Sequence, residues 1–261
     1  MINKVYETEI AHMMLYCESE IKNQYIRYVD NNIKDMYSHN FTYIRDNISM
    51  DNILDIIQSE INYRKKNGKK YLRIVSDSIL DEETIQKLKL ESEVEYYDYY
   101  GISTDQYKNI RTREGANVKV AKDPLAHEHG RMVDVIANYE GMTLEFAIRR
   151  IDRKFMVYDD PNKPMNLYVC YDGIEPVGNC EMFVNKNQCI SKIEDFDIIH
   201  MHQRKGFGSH VIRYLLKQCH DQGIENAFLL TDSNDTAKDM YIKTGFSIVG
   251  KRMELMFDWG V

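Results

Sequence analysis

The chain has no excess of basic charge. Its 41 aspartates and glutamates outnumber 34 lysines and arginines, for a net charge of −7. Nucleic-acid binding draws much of its affinity from neutralised phosphates and wants the opposite balance, so no nucleic-acid partner is expected. Cysteines are few. Cys17, Cys170, Cys180, Cys189 and Cys219 make an odd, scattered set with no C-x-x-C spacing, which is neither a disulfide framework nor a zinc motif. A reducing cytoplasm is the expected compartment. Residues 1–7 show no apolar core behind Lys4, as a signal peptide would, and no apolar run approaches transmembrane length; no membrane partner is expected. His127-Glu128-His129 is not H-E-x-x-H, and no neighbouring residues complete a ligand set, so no metal is expected. There is no short-period repeat and no low-complexity tract.

What is present is a globular composition: 261 residues, 43% hydrophobic and 29% charged, enough for two modest domains. A polar, glycine-containing stretch at 111–117 marks a boundary near residue 115. A smaller α/β domain over 1–115 then precedes a second domain over 116–261. Apolar residues Ile10, Met14, Cys17, Ile21, Tyr25 and Tyr28 recur at spacings of three and four, predicting one helix over 8–29. A strand at 41–44 follows. Ser49 caps a helix whose buried side carries Ile53, Leu54, Ile57 and Ile61, with Arg64, Lys65 and Lys66 in its last turn. Next come a strand at 71–75, a helix at 81–90 and a tyrosine-rich strand at 94–102. In that strand Tyr96, Tyr97, Tyr99 and Tyr100 alternate with acidic residues, which reads as a two-faced strand or as an acidic, aromatic wall for an amine.

The second domain opens with a strand at 118–120 and helices at 132–137 and 144–155. Strands at 167–171, 177–184 and 192–199 follow, joined by tight turns and therefore antiparallel. The last runs into Gln203-Arg204-Lys205-Gly206-Phe207-Gly208. Beyond it, Val211, Ile212, Leu215, Leu216 and Cys219 trace one face of a helix over 209–220. A strand, a glycine turn and a helix N-terminus aim unpaired backbone N–H groups at one point, and the helix dipole favours an anion there. A dinucleotide fingerprint would need a third glycine where Val211 stands, and a Walker loop would need a Gly-Lys-Ser/Thr that is missing. A strand at 227–231, a helix ending at Gly245 and strands at 246–249 and 255–259 complete the chain.

Q-x-x-G-x-G at 203–208, followed by N-x-x-A-x-x-x-Y-x-K-x-G-F at 234–246, resembles the GCN5-related N-acetyltransferase (GNAT) superfamily. The resemblance covers residues 116–261 and includes the three antiparallel strands upstream. It implies an α/β (α+β) acyl-CoA N-acyltransferase fold, a mixed central sheet flanked by helices. It also implies transfer of an acetyl group from acetyl-CoA to a primary amine of a small molecule or peptide. The backbone of Phe196, Ile198 and His200 would pair with the pantetheine arm. The amides of Gln203, Arg204, Lys205, Gly206, Phe207, Gly208 and Ser209 would hold the pyrophosphate, and Asn234 would approach the pantetheine. Tyr241 would protonate the departing thiolate. For the base, strand alternation puts Glu194, Phe196 and Ile198 on one face and Asp195, Asp197 and Ile199 on the other. Glu194 is taken as the base, with Asp195, Glu181, His200 and His202 as alternatives. Arg204 stands where the family commonly has glycine. The N-terminal half reads as a degenerate copy of the same fold or an unrelated α/β domain, serving as scaffold, substrate wall or dimer surface. The competing function is an acyl-CoA-binding or regulatory protein without catalysis.

Overall fold

The computed structural model describes residues 1–88 and 90–259. Contacts divide them into two compact units, neither a single stretch of chain. The larger comprises residues 1–15, 100–231 and 235–249; the smaller comprises 16–99, 232–234 and 250–261. The boundary expected near residue 115 falls inside the larger unit.

In the larger unit, α1 (Ile2–Met13) begins the chain. The C-terminal part of β5 (Glu93–Ser103) leads, through a short 3₁₀ turn, to β6 (Ala116–Val120). Two helices follow, α4 (Pro124–Asn138) and α5 (Leu144–Tyr158), then β7 (Met165–Asp172), β8 (Glu175–Asn185) and β9 (Ile190–Ile198). Next are α6 (Phe207–Asp221), β10 (Asn226–Asp232), α7 (Lys238–Lys243) and the start of β11 (Ser247–Asp258). The strand order is β5-β10-β9-β8-β7-β6. β6 through β9 are mutually antiparallel and β10 is parallel to β9. The amphipathic stripe of α6 does what its spacing dictates: Val211, Ile212, Leu215, Leu216 and Cys219 are buried against Cys180, Met182, Ile193 and Leu229. Burying five such side chains contributes on the order of 10 kcal/mol before chain entropy is subtracted.

The smaller unit holds β1 (Glu18–Ile21), β2 (Tyr25–Val29), β3 (Thr42–Ile44), α2 (Met50–Lys66), β4 (Tyr71–Ser76) and α3 (Glu82–Gln86), with the rest of β5 and β11. Strand order is β1-β2-β3-β4-β11. Ser49 caps α2 as its position predicts, accepting from the Asn52 amide, and Ile53, Ile56, Ile57 and Ile61 pack on Leu72, Ile74 and Leu255. The helix expected over 81–90 is a short one started by Asp81, which accepts from the Thr84 amide; Lys89 lies outside the described residues.

The helix expected over 8–29 is corrected. α1 ends at Met13, and residues 18–29 form the β1–β2 hairpin, paired from Glu18↔Val29 to Ile21↔Ile26. Tyr25-Ile26-Arg27-Tyr28-Val29 is rich in β-branched and aromatic residues, and cross-strand pairing with β3 decides against a coincidental helical spacing. Expected strands 246–249 and 255–259 are one strand, β11. Among the described residues, no helix is long and apolar enough to cross a membrane.

Candidate active site

β9 and β10 pair in parallel register from Ile190↔Asn226 to Ile193↔Leu229. Downstream of that register a cleft of about 510 Å³ opens, lined on one side by Phe196, Asp197 and Ile198 at the end of β9. Gln203, Arg204 and Gly206 to Ser209 form its floor, and Thr236, Met240 and Tyr241 from the α7 segment close it.

The floor is built by backbone conformation. Gly206 has φ +89°, a left-handed geometry open to glycine, and α6 starts at the next residue. The first-turn amides of this 15-residue helix therefore face the cleft with the positive end of its dipole. At Gly208 a Cβ would lie 2.4 Å from Met240 Sδ, so the missing side chain lets α7 close over the turn. Arg204 also takes a left-handed φ, +60°, a conformation that favours glycine. Gln203 Nε2 donates to the Ile198 carbonyl at 2.9 Å and ties the turn to the strand end. Arg113 lies 4.0 Å above the Phe207 ring and donates to the Lys205 carbonyl at 2.7 Å.

The floor and walls thus contain Phe196, Ile198, Gln203, Arg204, Gly206, Phe207, Gly208, Ser209 and Tyr241 of the expected residues. His200 and Lys205 are exposed at the rim of the turn and do not line the cleft. Asn234 is exposed, its backbone N–H donating to Asp232 Oδ1 at 2.7 Å, in a loop before an α7 that begins only at Lys238. His202 lines the cleft instead of His200; its ring is buried and lies 3.5 Å from Glu175.

Tyr241 is 7% exposed, its ring set among Tyr100 and Phe246. Burial holds its phenol well above the ordinary value, so it is protonated at neutral pH.

Glu194 is not placed for the role expected of it. Its carboxylate pairs with Lys192 Nζ at 2.6 Å and His12 Nε2 at 3.4 Å, and it does not line the cleft. Burial pushes its pKa up, but Lys192 and His12 outweigh that and hold it at about 2. Besides Asp235, the carboxylate lining the cleft is Asp197. Burial first, then the charges of Asp195 and Asp134, raise it to about 6, while Asn138 Nδ2 donates to its Oδ2 at 3.2 Å.

Between these two carboxylates β9 carries a β-bulge. Glu181 faces Glu194 and Asn179 faces Asp197, so β9 spends one more residue than β8 between these pairs. Asp195 sits in that bulge with φ +43°. Alternation counted straight through it puts Glu194 and Asp197 on opposite faces; the register puts them on the same one. The bulge is clamped from α5. Arg150 Nη1 lies 2.7 Å from Asp195, and Lys154 Nζ contacts the same carboxylate. Arg150 also meets Asp134 at 2.6 Å, and Lys154 meets Glu181 at 2.5 Å. Burial lifts Glu181 to about 8 against the pull of Lys154, and Tyr158 donates to it. Arg150, Lys154, Asp134 and Asn138 carried no sequence signal, since each looks like an ordinary helix-surface residue.

A second hollow, about 870 Å³, lies in the smaller unit and is walled in part by Glu91, Glu93, Glu95 and Tyr97. Its floor pair, Arg73 and Glu254, satisfies itself, and no α-helix N-terminus is among its lining residues.

A mixed sheet, a glycine turn opening α6 and a bulged β9 thus frame the cleft. Residues 138–255 match the family model described as acetyltransferase (GNAT) domain. Among curated proteins it is 24% identical to "Uncharacterized N-acetyltransferase CgeE" of Bacillus subtilis, over 92% of both chains. Among solved structures it resembles a GCN5-related N-acetyltransferase from Kribbella flavida (TM-score 0.70, 10% identity, 99% of this chain and 95% of that one). It also resembles a conserved protein from Staphylococcus epidermidis (TM-score 0.74, 16% identity, 93% of this chain and 94% of that one), described as functionally unknown. These neighbours span the whole chain and share its fold.

Proposed function

We propose that the chain is an acetyl-CoA-dependent N-acetyltransferase acting on a primary amine of a small molecule or peptide. The observation that carries this reading is one cleft holding an anion cradle at Gly206–Ser209, a carboxylate at Asp197 and a buried phenol at Tyr241. The name of the Bacillus subtilis relative, an N-acetyltransferase, supports nitrogen as the acceptor.

The amides at the start of α6 hold the pyrophosphate, and Arg204 adds charge beside it. The half-buried strand end at Phe196 to Ile198 pairs with the pantetheine arm. Asp197, titrating near 6, accepts a proton from the acceptor ammonium at neutral pH. The free amine attacks the thioester carbonyl, forming the C–N bond, and a backbone N–H at or beside Ile198 stabilises the oxyanion. Collapse breaks the C–S bond, and the Tyr241 hydroxyl protonates the leaving thiolate. The tyrosine regains a proton from the amide nitrogen through solvent. Acetamide and CoA-SH are the products, with charge and protons balanced.

The first test is thermal: saturation at 100 times Kd stabilises a binding protein by about 2.7 kcal/mol, so acetyl-CoA raises Tm. No shift at saturating ligand overturns the reading. A panel of amines monitored by thiol release then tests turnover. Binding without turnover across the panel would identify a non-catalytic acyl-CoA-binding protein instead. Titration is expected to find one CoA per chain.

A further inference from the structure

Cys17, Asp30 and His39 are far apart in sequence and meet inside the smaller unit. Cys17 immediately precedes β1, Asp30 follows β2, and His39 ends the 3₁₀ turn before β3. One sulfur, one carboxylate oxygen and one imidazole nitrogen all lie within 4.8 Å of each other. All three residues are buried, at 8%, 1% and 4% exposure. From this arrangement we propose that the three residues bind a divalent transition-metal ion of the zinc or cobalt type.

Geometry and charge both favour it. A tetrahedral ion with bonds of roughly 2.0–2.3 Å separates its donors by roughly 3.3–3.8 Å. His39 Nδ1 and Asp30 Oδ2 stand 2.9 Å apart, so small side-chain rotations admit the ion between them. A thiolate, a carboxylate, a neutral imidazole and a divalent cation sum to zero charge, which suits a buried site better than separate ionised groups. The mixed sulfur, nitrogen and oxygen set selects zinc or cobalt over calcium or magnesium, which take oxygen ligands.

A supporting shell is already in place. Asp30 Oδ1 accepts from the Asn32 amide at 3.1 Å, which orients the carboxylate. Asn40 accepts from the Asp30 amide at 3.1 Å and donates to the carbonyls of Ile33 at 3.0 Å and Met36 at 2.9 Å. The Tyr16 ring lies 4.7 Å from His39 and limits its rotation. Such outer contacts fix ligand orientation in metal sites. The segment between Asp30 and His39 exposes Asn31, Asn32, Lys34 and Asp35. The sequence offers no motif for this site because its spacings, 17 to 30 to 39, match no helical or turn-based ligand pattern.

Binding replaces the Cys17 S–H bond with a metal–sulfur bond and releases that proton, so affinity rises with pH. The reduced full-length protein, stripped with chelator, is titrated with Co²⁺ and followed by absorbance. One equivalent per chain is expected, with a thiolate-to-cobalt charge-transfer band that Zn²⁺ abolishes. Cys17→Ser preserves a hydroxyl donor to the His39 carbonyl, which Cys17 Sγ contacts at 3.2 Å. It should retain the fold and lose the band. Asp30→Asn, a second near-isosteric change, should weaken binding at least tenfold. Cys189→Ser, in the larger unit, should change nothing. Absence of a thiolate band in the wild type overturns the proposal, as does a band that survives in Cys17→Ser. The titration needs no turnover, so its outcome is independent of the acetyltransferase reading.

Discussion

Arg150 Nη1 lies 2.7 Å from the carboxylate of Asp195, at the residue where β9 turns left-handed, φ +43°. The contact joins a charge network on α5 to the strand that presents Asp197 to the cleft. It holds the bulge, and Asp195 is also one of the charges that raise the pKa of Asp197.

Asp195→Asn therefore shifts the acid limb of the pH–rate profile. Asp197 faces Asp195, Asp134, Arg150 and Asn138; removing one negative charge, with Arg150 still present, favours its ionised form. The limb near pH 6 should move down by about one unit, measured as kcat/KM against pH. A bulge clamp that acts only structurally would lower the rate at every pH and leave the limb in place.

Asp197→Asn separates function from stability. Its pKa is raised in the folded protein, from 3.8 to about 6. The stability linked to the protonated form is fully present below about pH 4 and is lost as pH rises through about 6. The asparagine variant should therefore be more stable than wild type at pH 7.5, by on the order of 1–3 kcal/mol, with no difference at pH 4. Its turnover should fall roughly a hundredfold or more. Urea unfolding at the two pH values and a thiol-release assay check both halves.

Tyr241→Phe removes the proposed acid and leaves the ring packed beside Tyr100 and Phe246. kcat should drop roughly ten- to a hundredfold, with acetyl-CoA affinity changed less than about threefold. Calorimetric titration beside steady-state kinetics distinguishes this from a packing defect, which would lower Tm and affinity together.

Arg204→Gly relieves a left-handed side-chain residue and removes a cation beside the proposed pyrophosphate seat. Stability should rise by up to about 1 kcal/mol, since the relieved strain is partly offset by glycine's greater unfolded entropy. CoA affinity should fall severalfold, and more at low salt than at high salt. Denaturant midpoints and salt-dependent titration measure the two effects.

The expected residues gathered at the cleft wherever the requirement was local. Gly206 needs a positive φ, Gly208 must leave room for Met240, and the α6 stripe must meet the sheet; each is written in a few consecutive residues. Glu194 and Asp197 were not separable in that way. One bulged residue reverses the alternation beyond it, and no residue type announces a bulge at an aspartate.

The amino-acid sequence by itself determined the glycine turn ahead of α6, the buried face of α6 and the order of antiparallel strands, because turn chemistry and periodicity act over short spans. Only the tertiary structure decided that residues 18–29 are a hairpin, since strand pairing with β3 outweighs a weak helical pattern. It likewise decided where the β9 carboxylates fall: Glu194 is held by Lys192 and His12, while Asp197 lines the cleft. The meeting of Cys17, Asp30 and His39 belongs to the same class: long-range packing brings their donor atoms together, and no local rule encodes that distance.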